Sequence, residues 1–230
     1  MAEELKETGL DRLDGESSSV RLVRDDYGLA LVGDGMELRG DFSRMLPRLR
    51  QGRLQQELLV KAARIKGAEA PTAVDCTAGL GEDSLLLAAA GFAVTLFERD
   101  QTIAALLADA LERAAADPRL AEAVGRMTLV AGNSITGLVT LPEPPDVVYL
   151  DPMFPARTKS AAVKKKFQLL HHLEQPCEEE EALVAAALAA QPRKVVIKRP
   201  AKGALLAGMK PSYSVAGKAV RYDVLVPPRP

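Results

Sequence analysis

The chain has 230 residues, 47% of them apolar, and its formal net charge is −1, which together predict one large globular domain with a small appendage. No window approaches the roughly 20 apolar residues of a membrane span, and the acidic first segment argues against a secretory or organellar signal. The two cysteines, Cys76 and Cys177, lie far apart without histidines at metal-ligand spacing, so we expect a reduced, cytoplasmic protein with no disulfide and no metal.

The first 70 residues are predicted to form a tail and a small extension. Residues 1–19 are polar and acidic, and we expect a flexible tail there. Residues 20–38 hold short apolar runs separated by Asp-Asp-Tyr-Gly and Gly-Asp-Gly turns, which predicts two or three antiparallel strands. Residues 45–65 have apolar side chains at helical spacing and predict one helix, with Gly52 as a weak point and Gly67 as its end.

Residues 71–230 alternate apolar strands with helices. The strand cores are apolar without alternation, which predicts a sheet covered on both faces. Right-handed crossovers then give a doubly wound, Rossmann-like α/β domain whose seven strands are mostly parallel. The last two strands share a short Gly-bearing loop and predict an antiparallel hairpin. We predict strands at 73–76, 93–98, 127–130, 147–150, 195–198, 212–215 and 220–226, and helices at 83–90, 102–116, 134–138, 161–173 and 179–190.

The first of these strands runs into a glycine turn that is suited to a cofactor. Its two glycines let the backbone pass close to a ligand, and an acid closing the next strand is placed to accept ribose hydroxyls. The turn lacks the third glycine of a dinucleotide fingerprint and has two acids instead. Acids there repel a pyrophosphate but attract the cationic amino-acid end of S-adenosylmethionine (SAM), which we therefore predict as cofactor. The residues are Asp75, Gly79, Gly81, Glu82, Asp83 and Glu98.

Three further residues flank the predicted cofactor pocket. Arg99 either lies along the adenine or pairs with a surface acid. Asn133 and Ser134 follow the third strand, where an adenine base needs hydrogen-bond partners. Ser134 is equally suited to be the N-cap of the helix that follows, and the two roles do not exclude each other.

The fourth strand ends in a second corner, Asp151-Pro-Met-Phe-Pro155, that is suited to a planar amine. Pro152 and Pro155 restrict the backbone, so the Asp151 carboxylate and a carbonyl can be aimed at a ligand. These two acceptors raise the electron density of an exocyclic nucleobase amine, and methyl transfer then needs mainly proximity and orientation. Phe154 either stacks on a base turned out of its helix or packs into the core.

Two stretches of the chain after Asp151 are basic, although the net charge of the whole chain is near zero. Residues 152–173 contain five basic side chains and residues 182–222 contain eight, with no acid in either stretch. They either bind the phosphates of a nucleic acid or form solvated faces. The candidate phosphate contacts are Arg157, Lys159, Lys164, Lys165, Lys198 and Arg199.

Together these segments resemble the ribosomal RNA small subunit methyltransferase J family. The resemblance implies a class I methyltransferase that moves methyl from SAM to the N2 amine of a guanosine in 16S rRNA. For this reaction we predict Asp151, Pro152 and Phe154 of the second corner as the catalytic residues. The family pattern has Arg where this chain has Glu82, and its basic stretch differs at 50–56. The resemblance also implies cofactor contacts at Glu82, Asp83, Glu98, Arg99, Asn133, Ser134 and Asp151.

The sequence leaves other functions open. The same fold can methylate another nucleobase amine or a protein amide, because corners of this type serve several planar amines. A non-catalytic RNA-binding assembly factor that kept the cofactor pocket is an alternative from another class. A nicotinamide oxidoreductase is disfavoured by the acids in the glycine turn.

Overall fold

The computed structural model describes residues 20–33, 35–152 and 179–228. The predicted tail at 1–19 lies outside the described residues. So do the predicted helix at 161–173 and five predicted site residues, namely Phe154, Arg157, Lys159, Lys164 and Lys165.

A small three-stranded sheet opens the described chain. It consists of β1 (Arg21–Asp25), β2 (Gly28–Gly33) and β3 (Met36–Leu38), paired antiparallel in that order, which confirms the predicted strands. Its apolar face packs Leu29, Leu31 and Leu38 against Leu106 of a later helix. The small sheet is therefore held by the body of the protein.

The second sheet has seven strands in the order β6-β5-β4-β7-β8-β10-β9. The first five are parallel, and β10 runs antiparallel to both of its neighbours. This confirms the predicted mostly parallel sheet with a C-terminal hairpin. The strands are β4 (Thr72–Asp75), β5 (Ala93–Glu98), β6 (Met127–Ala131), β7 (Val147–Leu150), β8 (Lys194–Pro200), β9 (Tyr213–Ala216) and β10 (Val220–Leu225).

Helices cover both faces of this sheet. Helices α2 to α5 pack on one face, whereas α6 and α7 pack on the other. Helix α2 shares the core of the large sheet. The predicted division of the chain at residue 70, into a small extension and a large domain, stays a prediction. The helices are α1 (Leu46–Leu49), α2 (Leu58–Ala63), α3 (Glu82–Ala89), α4 (Gln101–Ala115), α5 (Ala121–Val124), α6 (Ser134–Val139) and α7 (Glu180–Ala189), with 3₁₀ turns at Phe42–Met45, Leu54–Gln56 and Leu206–Gly208.

The single helix predicted over 45–65 is wrong. The backbone leaves the helical region at Arg50 (ψ 141°) and at Glu57 (ψ 129°), and Gly52 has φ +85°. Arg48 closes the interruption with a two-pronged ion pair to Glu57, at 2.9 and 2.7 Å. Leu54 reaches the core from this interruption. The apolar residues therefore have helical spacing in the sequence, although the chain between α1 and α2 is not α-helical. We call residues 50–56 the 50–56 loop.

A buried carboxylate on α4 holds the small sheet in place. The Asp109 side chain is only 3% exposed and accepts hydrogen bonds from Arg24 on β1 and from Arg113, each at 2.8 Å. Arg113 also donates to the Gly40 carbonyl. Burial raises the pKa of Asp109, but the hydrogen bond from Arg113 and the charges of both arginines outweigh it, so the net effect lowers the pKa.

Asp109→Asn is expected to destabilise the protein by about 2 kcal/mol at pH 7, because two charged donors lose their carboxylate. The pKa of Asp109 is lowered in the folded state, so this contribution is present above the ordinary carboxyl value of about 4 and is lost as the pH falls below it. Urea unfolding at pH 7 and pH 3 measures both effects. Glu122→Gln, which removes an exposed ion pair to Arg126, is the control and should change stability by less than about 0.5 kcal/mol. Equal losses for the two variants would contradict the anchoring role.

Candidate functional site

The carboxyl ends of β4, β7 and β8 meet at one edge of the large sheet. Asp75 is in register with Tyr149, and Leu150 is in register with Ile197, so the turns after these strands lie side by side. The Cys76 N–H donates to the Tyr149 carbonyl at 3.0 Å. The predicted neighbourhood of the two corners is confirmed, at the edge where ligands of open α/β sheets bind.

The two glycines of the first turn have left-handed backbones and different surroundings. Gly79 has φ +54° and Gly81 has φ +76°. A Cβ atom on Gly81 would lie 2.7 Å from Leu107 Cδ1 and 3.1 Å from Phe42 Cζ, whereas one on Gly79 would meet nothing within 4 Å. Gly81 therefore packs the turn onto the interior, and Gly79 leaves room for a ligand beside the backbone.

Gly81→Ala is expected to destabilise the protein by about 3 kcal/mol, because left-handed strain adds to overpacking against two buried side chains. Gly67→Ala is the matched control, since Gly67 has φ +77° and open space around it. Its cost is the left-handed strain alone, about 1 kcal/mol. Urea unfolding of both variants separates the two contributions, and equal losses would show that the packing at Gly81 is not tight.

Glu98 ends β5 with its carboxylate turned toward the glycine turn. Its Oε2 accepts from the Gly79 N–H and its Oε1 from the Asp100 N–H, both at 2.9 Å. Burial raises the pKa of Glu98, and these two donors act against that rise. Each carboxylate oxygen can accept a second hydrogen bond. The open space at Gly79 and this remaining acceptor capacity fit the ribose of SAM.

Asp75 lies beneath the glycine turn rather than in its opening. It is 1% exposed, its Oδ2 accepts from the Ser84 hydroxyl at 2.5 Å, and its Oδ1 accepts from the Thr77 N–H at 2.9 Å. Burial raises the pKa of Asp75 to about 7 despite these donors. The predicted cofactor contact is not supported for this side chain, because Asp75 is buried beneath the turn, which it fastens to α3. Sequence reasoning missed both partners, the Ser84 hydroxyl and the Thr77 N–H, although Asp followed by Thr two residues later is typical of such a turn.

A lysine joins the two corners of the site. Lys198 Nζ lies 2.7 Å from Asp83 Oδ2 and 2.8 Å from Asp151 Oδ2, and the Tyr149 hydroxyl donates to Asp83 Oδ2 at 2.6 Å. Burial lowers the pKa of Lys198, but the two carboxylates outweigh it and raise the pKa, so the amine is cationic. We call Lys198, Asp83 and Asp151 the Lys198 bridge. The phosphate contact predicted for Lys198 is not supported, because its charge is already compensated.

Asp151 has one carboxylate oxygen in the bridge and one that points elsewhere. Its backbone N–H donates to Thr77 Oγ1 at 2.7 Å, which fastens the second corner to the first. Oδ1 accepts no hydrogen bond from any residue within 20–33, 35–152 and 179–228. Burial raises the pKa of Asp151, while Lys198 lowers it. Pro152, directly after it, is buried.

Arg199 does not reach the opening of the site. It is 3% exposed, and its Nε donates to the Ala204 carbonyl at 2.8 Å. The side chain therefore orders the loop after β8 from inside, and the predicted phosphate contact is not supported.

The remaining predicted cofactor residues lie around the same edge. Glu82 is half-buried in the first turn of α3. Arg99 is 51% exposed and lies 3.9 Å from the carboxylate of Glu179, as one of its two predicted alternatives proposed. Asn133 caps α6 by accepting from the Ile135 N–H, so the prediction of Ser134 as N-cap is wrong. Ser134 is the first residue of that helix and is buried.

Two features are absent from the residues that the structure describes. No helix there is long and apolar enough to cross a membrane. The same residues contain no group of three or more His, Cys, Asp or Glu side chains that could hold a metal ion.

Comparison with known proteins identifies the family. A family model described as "Putative SAM-dependent methyltransferase" matches residues 7–227. Ribosomal RNA small subunit methyltransferase J of Thioalkalivibrio sulfidiphilus is 46% identical, with 93% of this chain and 88% of the relative covered. Its counterpart in Neisseria meningitidis serogroup C is 41% identical, with 92% and 85% covered. The crystal structure of a SAM-dependent methyltransferase from Neisseria gonorrhoeae has a TM-score of 0.74 at 32% identity, with 93% and 85% covered. The chain therefore belongs to the ribosomal RNA small subunit methyltransferase J family of SAM-dependent methyltransferases.

Proposed function

We propose that this protein transfers a methyl group from SAM to the exocyclic N2 amine of a guanosine in 16S rRNA. The observation that carries the proposal is the position of the Asp151 carboxylate. Lys198 holds it through one oxygen, beside the glycine turn that is predicted to bind SAM. The names of the relatives support small-subunit rRNA as the substrate. An RNA-modifying role also supports the predicted cytoplasmic location.

We propose that Glu98, the glycine turn and the first turn of α3 hold the cofactor. Glu98 receives the ribose hydroxyls through the second lone pairs of its two oxygens, and Gly79 lets the cofactor lie against the backbone. Glu82 and Asp83, at the start of α3, receive the amino-acid end; Lys198 and Tyr149 both contact Oδ2 of Asp83, so its Oδ1 faces no donor among the described residues. When bound, SAM supplies an electrophilic methyl group on a sulfonium. Arg99, Asn133 and Ser134 stay proposals for the adenine.

Asp151 is proposed to orient the amine and to take its proton. An exocyclic amine has two N–H groups, and Asp151 Oδ1 is available to accept one of them. The lone pair of the nitrogen forms the new N–CH₃ bond as the bond from that methyl to sulfur breaks, and the surplus proton then passes to Oδ1. Burial raises the pKa of Asp151, and Lys198 opposes that rise by favouring the ionised carboxylate, the form that accepts a proton.

The contacts predicted for residues 154–165 lie outside the described residues and remain proposals. Phe154 would stack on the flipped guanine. Positively charged side chains after it would hold the RNA backbone, namely Arg157, Lys159, Lys164 and Lys165.

Methyl-labelled SAM and unmodified 16S rRNA transcribed in vitro provide the test. After incubation the RNA is digested to nucleosides and the labelled nucleoside is identified. We expect N2-methylguanosine. Label on another nucleoside would overturn the choice of atom, and no label on RNA despite calorimetrically measured SAM binding would overturn rRNA as the substrate.

A further inference from the structure

The basic stretch between residues 44 and 66 is divided between opposite ends of α2. A Cβ atom on Gly217, in the β9–β10 turn, would lie 2.6 Å from Leu58 at the start of α2. At the other end, Lys194 Nζ donates to the Ala62 and Arg64 carbonyls at 3.2 and 2.7 Å. Lys194 begins β8, and the β9–β10 turn lies where β8 ends, because Val220 pairs with Pro200. Helix α2 therefore runs antiparallel to β8 and begins at the edge that holds the site.

The 50–56 loop precedes α2 and so presents its cations at the site edge. Arg50 and Arg53 are exposed, and neither has an ion-pair or side-chain hydrogen-bond partner among the residues that the structure describes. The loop is ordered by the Arg48–Glu57 ion pair and by the Gly52 N–H, which donates to Gln55 Oε1 at 2.7 Å. This ordered loop thus carries two guanidinium groups that no described side chain pairs.

Two lysines extend this positive charge along the same edge. Lys202 lies in the loop after β8, and Lys218 lies in the β9–β10 turn. The Ala201 N–H donates to the Ala219 carbonyl at 2.9 Å, which ties the two loops together. Both lysines are exposed and also lack a side-chain partner within the described ranges. We call Arg50, Arg53, Lys202 and Lys218 the edge cations.

On the α7 side of the same edge, the described residues are mainly acidic. Helix α7 packs on the other face of the sheet, and it begins near β5 because Glu179 lies 3.9 Å from Arg99. Its first turn carries Glu180 and Glu181. Among the described residues at this edge, the acids of the first turn of α7 therefore lie on one side and the cations of the α2 side on the other, where they attract a polyanion.

We propose that the edge cations bind the phosphate groups of the RNA strand that flanks the target nucleotide, so that the strand leaves the site over α2 and the β9–β10 turn. This inference rests on the proposed function for the identity of the polyanion. Contacts of this kind position the nucleic acid without reading its sequence. They release counterions, so each contributes to the salt dependence of binding.

The test is direct binding of unmodified 16S rRNA, transcribed in vitro, to the Arg50→Gln/Arg53→Gln variant over a range of salt concentrations. We expect about tenfold weaker binding at low salt, and a slope of log affinity against log salt that is smaller by about 1.5. Lys202→Gln/Lys218→Gln should act in the same direction. The control is Arg64→Gln/Lys66→Gln, which removes two exposed cations at the far end of α2 and should leave the slope unchanged.

Each outcome separates this inference from the proposed function. A slope that is the same in the parent, both edge variants and the control would overturn the edge cations as phosphate contacts, and so would a parent that shows no salt-dependent RNA binding. Methylation is measured on the same samples. RNA that binds with the expected slopes but receives no label would overturn the proposed reaction while it supports the docking face. SAM affinity, measured by calorimetry, should not differ among the variants.

Discussion

Asp151→Asn is expected to lower kcat for methyl transfer to RNA by about 10³-fold, because the amide cannot take the proton that leaves the amine. The substitution keeps the size of the side chain and its backbone hydrogen bond to Thr77. It also turns an amide toward Lys198, which removes one of the two carboxylates that compensate the lysine. The measurement is single-turnover transfer from labelled SAM to unmodified 16S rRNA.

Asp146→Asn is the matched control for this prediction. Asp146 directly precedes β7, at the opposite edge of the sheet, where its carboxylate accepts from the Thr72 N–H and from Arg193. Its loss should change stability but not the rate of the chemical step. Comparable kcat for Asp151→Asn and the parent, with RNA saturating, would remove Asp151 from the reaction.

Lys198→Met is expected to lower kcat/KM several-fold at pH 7 and to move the rising part of its pH profile to higher pH. Lys198 stabilises the ionised form of Asp151, and it lies within hydrogen-bond distance of that carboxylate. Without the lysine, burial raises the pKa of Asp151 further. The active, ionised form is then reached only at higher pH, so activity should recover as the pH increases.

The charged groups around the Lys198 bridge set the direction in which the pKa of Asp151 moves. Asp83 and Asp75 raise the cost of ionising Asp151, and Asp83 loses its cation in the same variant. Arg199 lowers the pKa of Asp151 and remains in place. The positive charge of Arg48 acts on Asp83 and Tyr222. Removing Lys198 therefore leaves a net excess of negative charge, which explains the upward direction of the shift.

Lys194→Met is the control, since Lys194 is the first residue of the same strand and lies at the end away from the site. It should leave the pH profile where it is. A profile that keeps its position in Lys198→Met while only its height falls would show that the lysine has a structural role alone. Restoration of the parent profile by Lys198→Arg would support the electrostatic account.

The fold was predictable because its signals are local. The buried strands β4, β5 and β7 are continuous apolar runs, and glycine or proline marks the turns that follow β4 and β7. Three-dimensional contacts decided where prediction failed. Leu54 enters the core from a loop, which made the segment around it look helical. Asn133 and Ser134 are both good N-caps, and only the backbone distinguishes them.

The site was predictable as a place but not as a set of contacts. Asp83 and Asp151 were found because each follows a recognisable turn. Lys198 pairs with both, although it follows Asp83 by 115 positions and Asp151 by 47. No periodicity in the sequence indicates contacts over such separations. Burial of Asp75 and Arg199 likewise depends on what packs over them, so a carboxylate and a guanidinium expected to meet ligands serve the interior instead.

The order of strands in the large sheet has a consequence for how the enzyme matures on the ribosome. The glycine turn can form once β4 and β5 have paired, but Asp151 joins it only after a loop of 74 residues closes onto Thr77. The lysine that completes the charge balance is synthesised another 47 positions later. Because synthesis adds only about 5–20 residues per second, the residues of the glycine turn emerge seconds before those of the second corner. In a growing polypeptide, the proposed arrangement of Asp151 and Lys198 is therefore complete only after synthesis has passed β8.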